Sequence, residues 1–113
     1  MNLTLNNGYL SDYDDFYLWV ETFEEYSKAY VITKDEDGEA VSAAAAKIVK
    51  IVDNSDFDSE DDYSDAVDEL LNEDFDNSGE FMTMDGIYYV AVEFVDDEQD
   101  LEEFEIGPDV NYC

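Results

Sequence analysis

Carboxylates make up nearly all the reactive chemistry this chain offers. Thirteen of them fall between Asp53 and Glu80 (Asp53, Asp56, Asp58, Glu60, Asp61, Asp62, Asp65, Asp68, Glu69, Glu73, Asp74, Asp76 and Glu80), with no Lys or Arg among them. A second run follows at Asp96, Asp97, Glu98, Asp100, Glu102, Glu103 and Glu105. Carboxylates at such density suit three kinds of chemistry. A pair can transfer protons, as in glycoside hydrolysis. A cluster can hold a hard cation. A whole face can attract a basic partner.

Proton-transfer catalysis has little else to work with. The chain has no His and no Arg, so it lacks a Ser–His or Cys–His pair, an imidazole ligand and a bidentate phosphate clamp. Gly38, Gly79, Gly86 and Gly107 stand singly at apparent turns, with no phosphate-cradling loop. Two carboxylates alone could cleave a glycosidic bond, but a chain of 113 residues leaves little room for the cleft. The expectation is a protein that is not an enzyme.

Cation binding has one candidate. Residues 74–85, DFDNSGEFMTMD, place Asp74, Asp76 and Ser78 at alternate positions, Gly79 sixth and Asp85 twelfth, the spacing of a calcium loop. The twelfth ligand is the short Asp, Met82 fills a position that is usually polar, and a strand follows where a helix should exit. A polar connection between a helix and a hairpin explains the segment better, and no metal or other cofactor is expected. Ser55, Ser59 and Ser64, set among acids, could accept phosphate, but cap and turn roles already account for them.

The charge itself is left. Asp and Glu total 33 against four lysines, Lys28, Lys34, Lys47 and Lys50, for a formal charge of −29. The first fifty residues carry ten acids and the four lysines (−6), and the other 63 carry 23 acids and no base (−23). So strong a sign asymmetry points to a basic partner. The surface would repel a phosphate backbone, so Tyr17, Trp19, Tyr88 and Tyr89 read as core or partner contacts and not as a base-stacking platform.

Elements must hold these acids in place. The chain is 45% apolar and 15% aromatic with one Pro, a composition that folds in spite of its charge. It reads as a single acidic domain over residues 1–113. Residues 15–23 alternate like a strand, although a helix from Ser11 would align Tyr13, Phe16, Val20 and Phe23. Residues 29–34 read as a strand and DEDG (35–38) as its turn. The run of four alanines at 43–46 within residues 39–52, with Val41, Ala45, Ile48 and Val52 on one helical face, predicts a helix. A second helix over 59–75 has Ser59 as cap, acids in its first turn, and Tyr63, Ala66 or Val67, and Leu70 or Leu71 at helical spacing. Residues 79–84 and 87–95 form a hairpin across Asp85-Gly86, which suits a type I′ turn, and 101–106 completes a three-stranded meander. The expected fold is α+β, an antiparallel sheet packed with one or two helices.

On size, charge and excluded residue types, the chain resembles the small acidic DNA mimics of phages and mobile elements, which block restriction enzymes, CRISPR effectors and other DNA-binding proteins. Duplex DNA carries one charge per about 1.7 Å, so 29 charges correspond to roughly 50 Å of duplex. Acids three or four apart on a helix lie about 5–6 Å from one another, close to phosphate spacing along one strand. Asp61, Asp65, Asp68, Glu69 and Glu73 would form such a row, and the run from Asp96 to Glu105 could stand for the other strand. The candidate interface is Asp56, Asp58, Glu60, Asp61, Asp62, Asp65, Asp68, Glu69, Glu73, Asp74, Asp76, Asp96, Asp97, Glu98, Asp100, Glu102, Glu103 and Glu105. Its expected partner is a basic DNA-binding protein of the host, a nuclease or defence effector, with a homodimer left open. An acidic partner for a basic protein unrelated to DNA, or a halophile's acidic domain, would show the same composition. A lone terminal Cys113, no membrane-length apolar run and no signal-peptide pattern make the cytoplasm the expected compartment.

Overall fold

The structure, a computed structural model, describes residues 1–112 except the side chain of Asp56; Cys113 lies outside the described residues. Strands β1 (Asn2–Leu5), β2 (Tyr9–Asp12), β3 (Phe16–Val20), β4 (Lys28–Lys34) and β5 (Ala40–Asp53) come first. A 3-10 turn (Asn54–Asp56) and helix α1 (Glu60–Asn72) follow. Strands β6 (Asn77–Thr83), β7 (Gly86–Phe94), β8 (Gln99–Asp100), β9 (Glu103–Ile106) and β10 (Asn111–Tyr112) complete the chain. Strands take 52% of the described residues and helix 14%, so the fold is nearly all-β, and the α+β expectation is overturned.

The segment responsible is residues 39–52. It is not a helix but the 14-residue strand β5, the longest element of the fold. Its alanines are small because both faces are covered: Ala46 and Ile48 belong to one core, Ala43 to a second and Val52 to a third. A strand buried on both sides loses its polar alternation and reads as an apolar run. Pairing with β7 shifts between Ile48 and Lys50, a bulge that further breaks the period of two.

The main sheet runs β10-β2-β3-β4-β5-β7-β6, with β8 continuing the pairing along β5 at Ser42 and Ala43. Its neighbours are antiparallel except β10 with β2. The sheet curls into a half-barrel. Leu18, Val20, Ala29, Val31, Ala46, Ile48, Phe81, Val90 and Val92 fill its concave side. Phe23 stacks on Tyr88 with ring centroids 4.1 Å apart and plugs one end of that core. Curling brings β6 round to β2, where the Ser11 and Tyr13 hydroxyls bond the Glu80 backbone. Ser11 is therefore a strand residue and not a helix cap, and residues 16–20 are strand.

The convex side carries two covers. At one end α1 seats Leu70, with Ala66 and Val67, against Val52 and Ala91. At the other, β1 and β9 pair in parallel, Asn2 with Glu103 through Leu5 with Ile106, and lay Leu3, Leu5 and Phe104 over Leu10, Trp19, Ile32 and Ala43. That ribbon corrects the expected meander: residues 103–106 leave the sheet instead of pairing with β7. The 86–94 hairpin partner is as expected, but Thr83 pairs with Gly86, so the turn is Met84–Asp85 and the positive φ falls on Gly86 alone. That is not a type I′ turn, which needs two positive φ values.

Candidate acidic interface

Helix α1 carries the first acidic patch. Leu70 is fully buried, and at 100° per residue Asp61, Asp65 and Asp68 lie opposite it, within about 60° of one another. These three stand at the crest. Asp62, Glu69 and Glu73 lean to one flank and Glu60 to the other, and all are exposed. Ser59 sits at the N-cap, yet its side chain makes no cap hydrogen bond; Glu60, Asp61 and Asp62 in the first turn favour that end through the helix dipole. The opposite end is unfavourable, since its last turn has no basic residue while Glu69 and Glu73 crowd the carbonyl terminus. Lys50 of β5 offsets part of this, its ammonium lying 3.8 Å from Glu69 and 3.3 Å from Glu73. Two members of the predicted row are thus partly neutralised from within the chain. Asp58 and Asp74 flank the helix and are exposed; the Asp56 side chain lies outside the described residues. Asp76 is exposed but engaged, its carboxylate accepting from the Phe94 amide at 3.0 Å.

The second patch lies at the other end of β5 from α1. Asp96, Asp97 and Glu98 lie where the chain leaves β7 and runs on to β8, and all are exposed. Glu98 accepts a hydrogen bond from the Ser42 hydroxyl, and Asp100 pairs with Ser42 in the ladder. Glu102 precedes β9, which bears Glu103 and Glu105 on its exposed positions. Helix α1 covers the Val52 end of β5, and β8 pairs with the edge of β5 at the Ser42 end. At about 3.3 Å per residue those ends are roughly 30 Å apart. The two patches lie at opposite ends of β5 and only partly on one face: Glu98 and Asp100 share the Ser42 side of the sheet, while Glu103 and Glu105 ride on β9 over the convex side that also carries α1. The long axis of the molecule is 45 Å.

The calcium spacing does not survive folding. Seven of its twelve residues form β6, with Gly79 paired to Val90, and Asp74 and Asp85 flank opposite ends of that strand. Among the described residues no group of three or more Asp, Glu, Cys or His is placed to hold a metal ion.

Two groups went unread in the sequence. Beneath α1, the Tyr89 phenol is pushed up to about 12 by its hydrogen bond to the Glu80 carboxylate and by burial. Burial, then the nearby Glu80 and Asp53 charges, also raise Tyr63. The second is a pair of cations: Lys28 of β4 lies directly opposite Lys47 of β5 on the convex side, in a row continued by Glu21 on β3's side and Glu93 of β7. Reading residues 39–52 as a helix hid that pairing. Read as a strand, β5 puts Lys47 on the opposite face from Ala46 and Ile48, and an antiparallel β4 then supplies Lys28. No protein-family model, curated protein or solved structure matches the chain.

Proposed function

We propose that this protein is a non-enzymatic inhibitor whose carboxylates take the place of DNA phosphates on a basic DNA-binding protein, a nuclease or defence effector of the host cell. The observation that carries the reading is the match of charge to length. A duplex of 45 Å presents about 26 phosphates, and this chain places a net −29 on a 45 Å axis. One exposed crest on α1 and one run from Asp96 to Glu105 contribute two separate stretches of that charge, at opposite ends of β5. Lys and Arg side chains evolved to hold phosphates make charge-assisted bonds to carboxylates equally well. The end-to-end placement implies a partner that follows a length of duplex backbone, with the crest of α1 acting as one stretch of it. Among the described residues no helix is long and apolar enough to cross a membrane.

The test is a competition gel shift against the identified target at two salt concentrations. Protein should displace DNA, excess DNA should displace protein, and affinity should fall as salt rises. Simultaneous binding of protein and DNA without mutual effect would refute mimicry and leave an acidic partner of some other surface.

A further inference from the structure

Resting on that proposal, one cavity at the start of α1 narrows what the target must offer. Strand β5 ends at Asp53, whose carboxylate accepts from the Ser55 amide at 2.9 Å and sets the 3-10 turn. Asn54 ties the same turn to β7, its side-chain oxygen accepting from the Ile87 amide at 3.3 Å. The turn delivers Phe57 in extended backbone against Tyr63 and Tyr89, and α1 begins after the extended Ser59. Phe57 and Tyr63 stand with ring centroids 5.9 Å apart and planes at 56°, so together they form a corner and not a stack. An open cavity of about 240 Å³ lies against that corner, with Asn54, Asp58, Ser59 and Glu60 exposed around it. Both rings are only half-buried. Tyr63 also carries the one buried side-chain oxygen among the described residues that has no hydrogen-bond partner. A buried polar atom left unpaired, on a residue that lines a cavity, calls for a partner from outside the chain. The chain's own cations do not serve here. Lys28, Lys34 and Lys47 lie over Tyr30, Tyr17 and Tyr26, and Lys50 pairs with Glu69 and Glu73.

We infer that this corner receives one arginine side chain of the DNA-binding target, its guanidinium against the two rings and its N–H groups on the Asp58 and Glu60 carboxylates. Aromatic faces attract cations through the ring quadrupole, most strongly where water is displaced. A metal ion would need oxygen ligands on all sides, and two carboxylates beside two rings do not supply them. The volume falls below the roughly 300–1,000 Å³ of pockets for drug-sized molecules and suits a single side chain. The α1 N-terminus carries about half a positive charge and opposes a cation, but Asp58, Glu60, Asp61 and Asp62 outweigh it. Arginine is favoured over lysine, because its flat, weakly hydrated guanidinium stacks on rings and forks onto carboxylates. A phosphate has no ring, so at this position the protein grips a phosphate-binding side chain by a contact the DNA backbone lacks. The crest draws the basic surface in, and the corner fixes its register at the Asp61 end.

The experiment titrates two probes at about 0.15 M salt: a short arginine-rich peptide, and the same peptide with lysine at every arginine. The two are equal in charge, so a purely electrostatic surface binds them alike. The parent should bind the arginine peptide at least about threefold more tightly. Phe57→Leu changes no charge and keeps apolar bulk beneath α1. It should abolish the preference and weaken the arginine peptide about three- to tenfold, and Phe57→Tyr should restore both. A thermal melt shows whether Phe57→Leu still folds. Ring-proton shifts of Phe57 and Tyr63 in the parent need no variant, and should move more with the arginine peptide than with the lysine one. Equal affinity of the parent for both peptides, an undiminished preference in folded Phe57→Leu, or ring protons that respond to neither peptide would overturn the inference. Asp61→Asn, Asp65→Asn and Asp68→Asn combined tests the underlying reading separately, because it should weaken both peptides alike and leave the preference. If that triple variant binds as the parent does, or if neither peptide is bound, the charge-based reading fails as well.

Discussion

Tyr13 shows how one residue closes a sheet. Its hydroxyl donates to the Glu80 carbonyl at 2.7 Å and accepts from the Glu80 amide at 2.6 Å, while Ser11 donates to the same carbonyl. The outer edge of β6 would otherwise present those groups to solvent as a template for another strand. Gly79 permits the approach, since a Cβ there would lie 2.6 Å from a Leu18 methyl and 2.8 Å from the Tyr13 hydroxyl. Tyr13→Phe should therefore cost about 1–3 kcal/mol in urea unfolding, the penalty for stranding the partly buried Glu80 amide while Ser11 still serves the carbonyl, and should raise the tendency to self-associate. Tyr89 gives a pH signature. Its folded pKa of about 12 lies above the ordinary 10.0, so its hydrogen bond to Glu80 favours the protonated phenol. That contribution is complete below pH 10 and is lost as pH rises from 10 through 12. Unfolding midpoints measured across that window should fall more steeply for the parent than for Tyr89→Phe. Identical slopes would mean that Tyr89 does not make this bond.

Element by element, the sequence was legible wherever one face was buried and the other wet. Helix α1 is such a case: Tyr63, Ala66, Val67 and Leu70 face inward, and Asp61, Asp65 and Asp68 outward. Strands β4, β6 and β7 kept enough alternation or turn chemistry to be found. The misread β5 has apolar residues on both faces, and helical propensity in its four consecutive alanines (43–46) outweighed a strand period that a bulge had already broken. Strand β9 failed for another reason. Its partner is β1, about a hundred residues earlier, and nothing local in EEFEI says which strand it will join. The acids of the candidate interface were readable singly because exposure follows from charge. Their end-to-end order depended on β5 and could not be read. Two predictions belong to α1. Leu70→Ala should cost about 2–4 kcal/mol in denaturant unfolding, since this fully buried side chain ties the helix to Val52 and Ala91. Asp61→Asn, Asp65→Asn and Asp68→Asn together should raise the thermal midpoint by relieving like-charge pairs, while target affinity falls. Stability and binding that decline together would instead mark these acids as structural.

For the whole molecule, one charge distribution must answer to salt in two opposite ways. A net −29 on a body of 45 × 30 × 26 Å repels itself, and only Lys34 with Asp12 and Lys50 with Glu69 and Glu73 make ion pairs among the described residues. At 0.01 M salt the screening length is about 30 Å, comparable to the whole molecule; at 0.15 M it is about 8 Å, shorter than the gap between the two patches. Raising salt through this range should therefore raise the unfolding midpoint steadily, as repulsion between patches is cut off before repulsion within them. Across the same range, binding to a basic target should weaken, because attraction along the 45 Å axis is cut down to its nearest contacts. The two dependences share a cause, so charge reversal must change both. Asp61→Lys, Asp65→Lys, Asp68→Lys and Glu73→Lys combined adds eight positive units along α1, three residues on its crest and one on its flank, and should flatten the salt dependence of stability. The same variant should lose about a hundredfold or more in affinity at low salt, and its deficit should shrink as salt rises. Thermal melts and target titrations at 0.01, 0.05 and 0.15 M salt measure both. If reversal abolished binding equally at every salt concentration while leaving the melting curve's salt dependence intact, α1 would be a specific short-range contact, and the charge would not be acting as a duplex does.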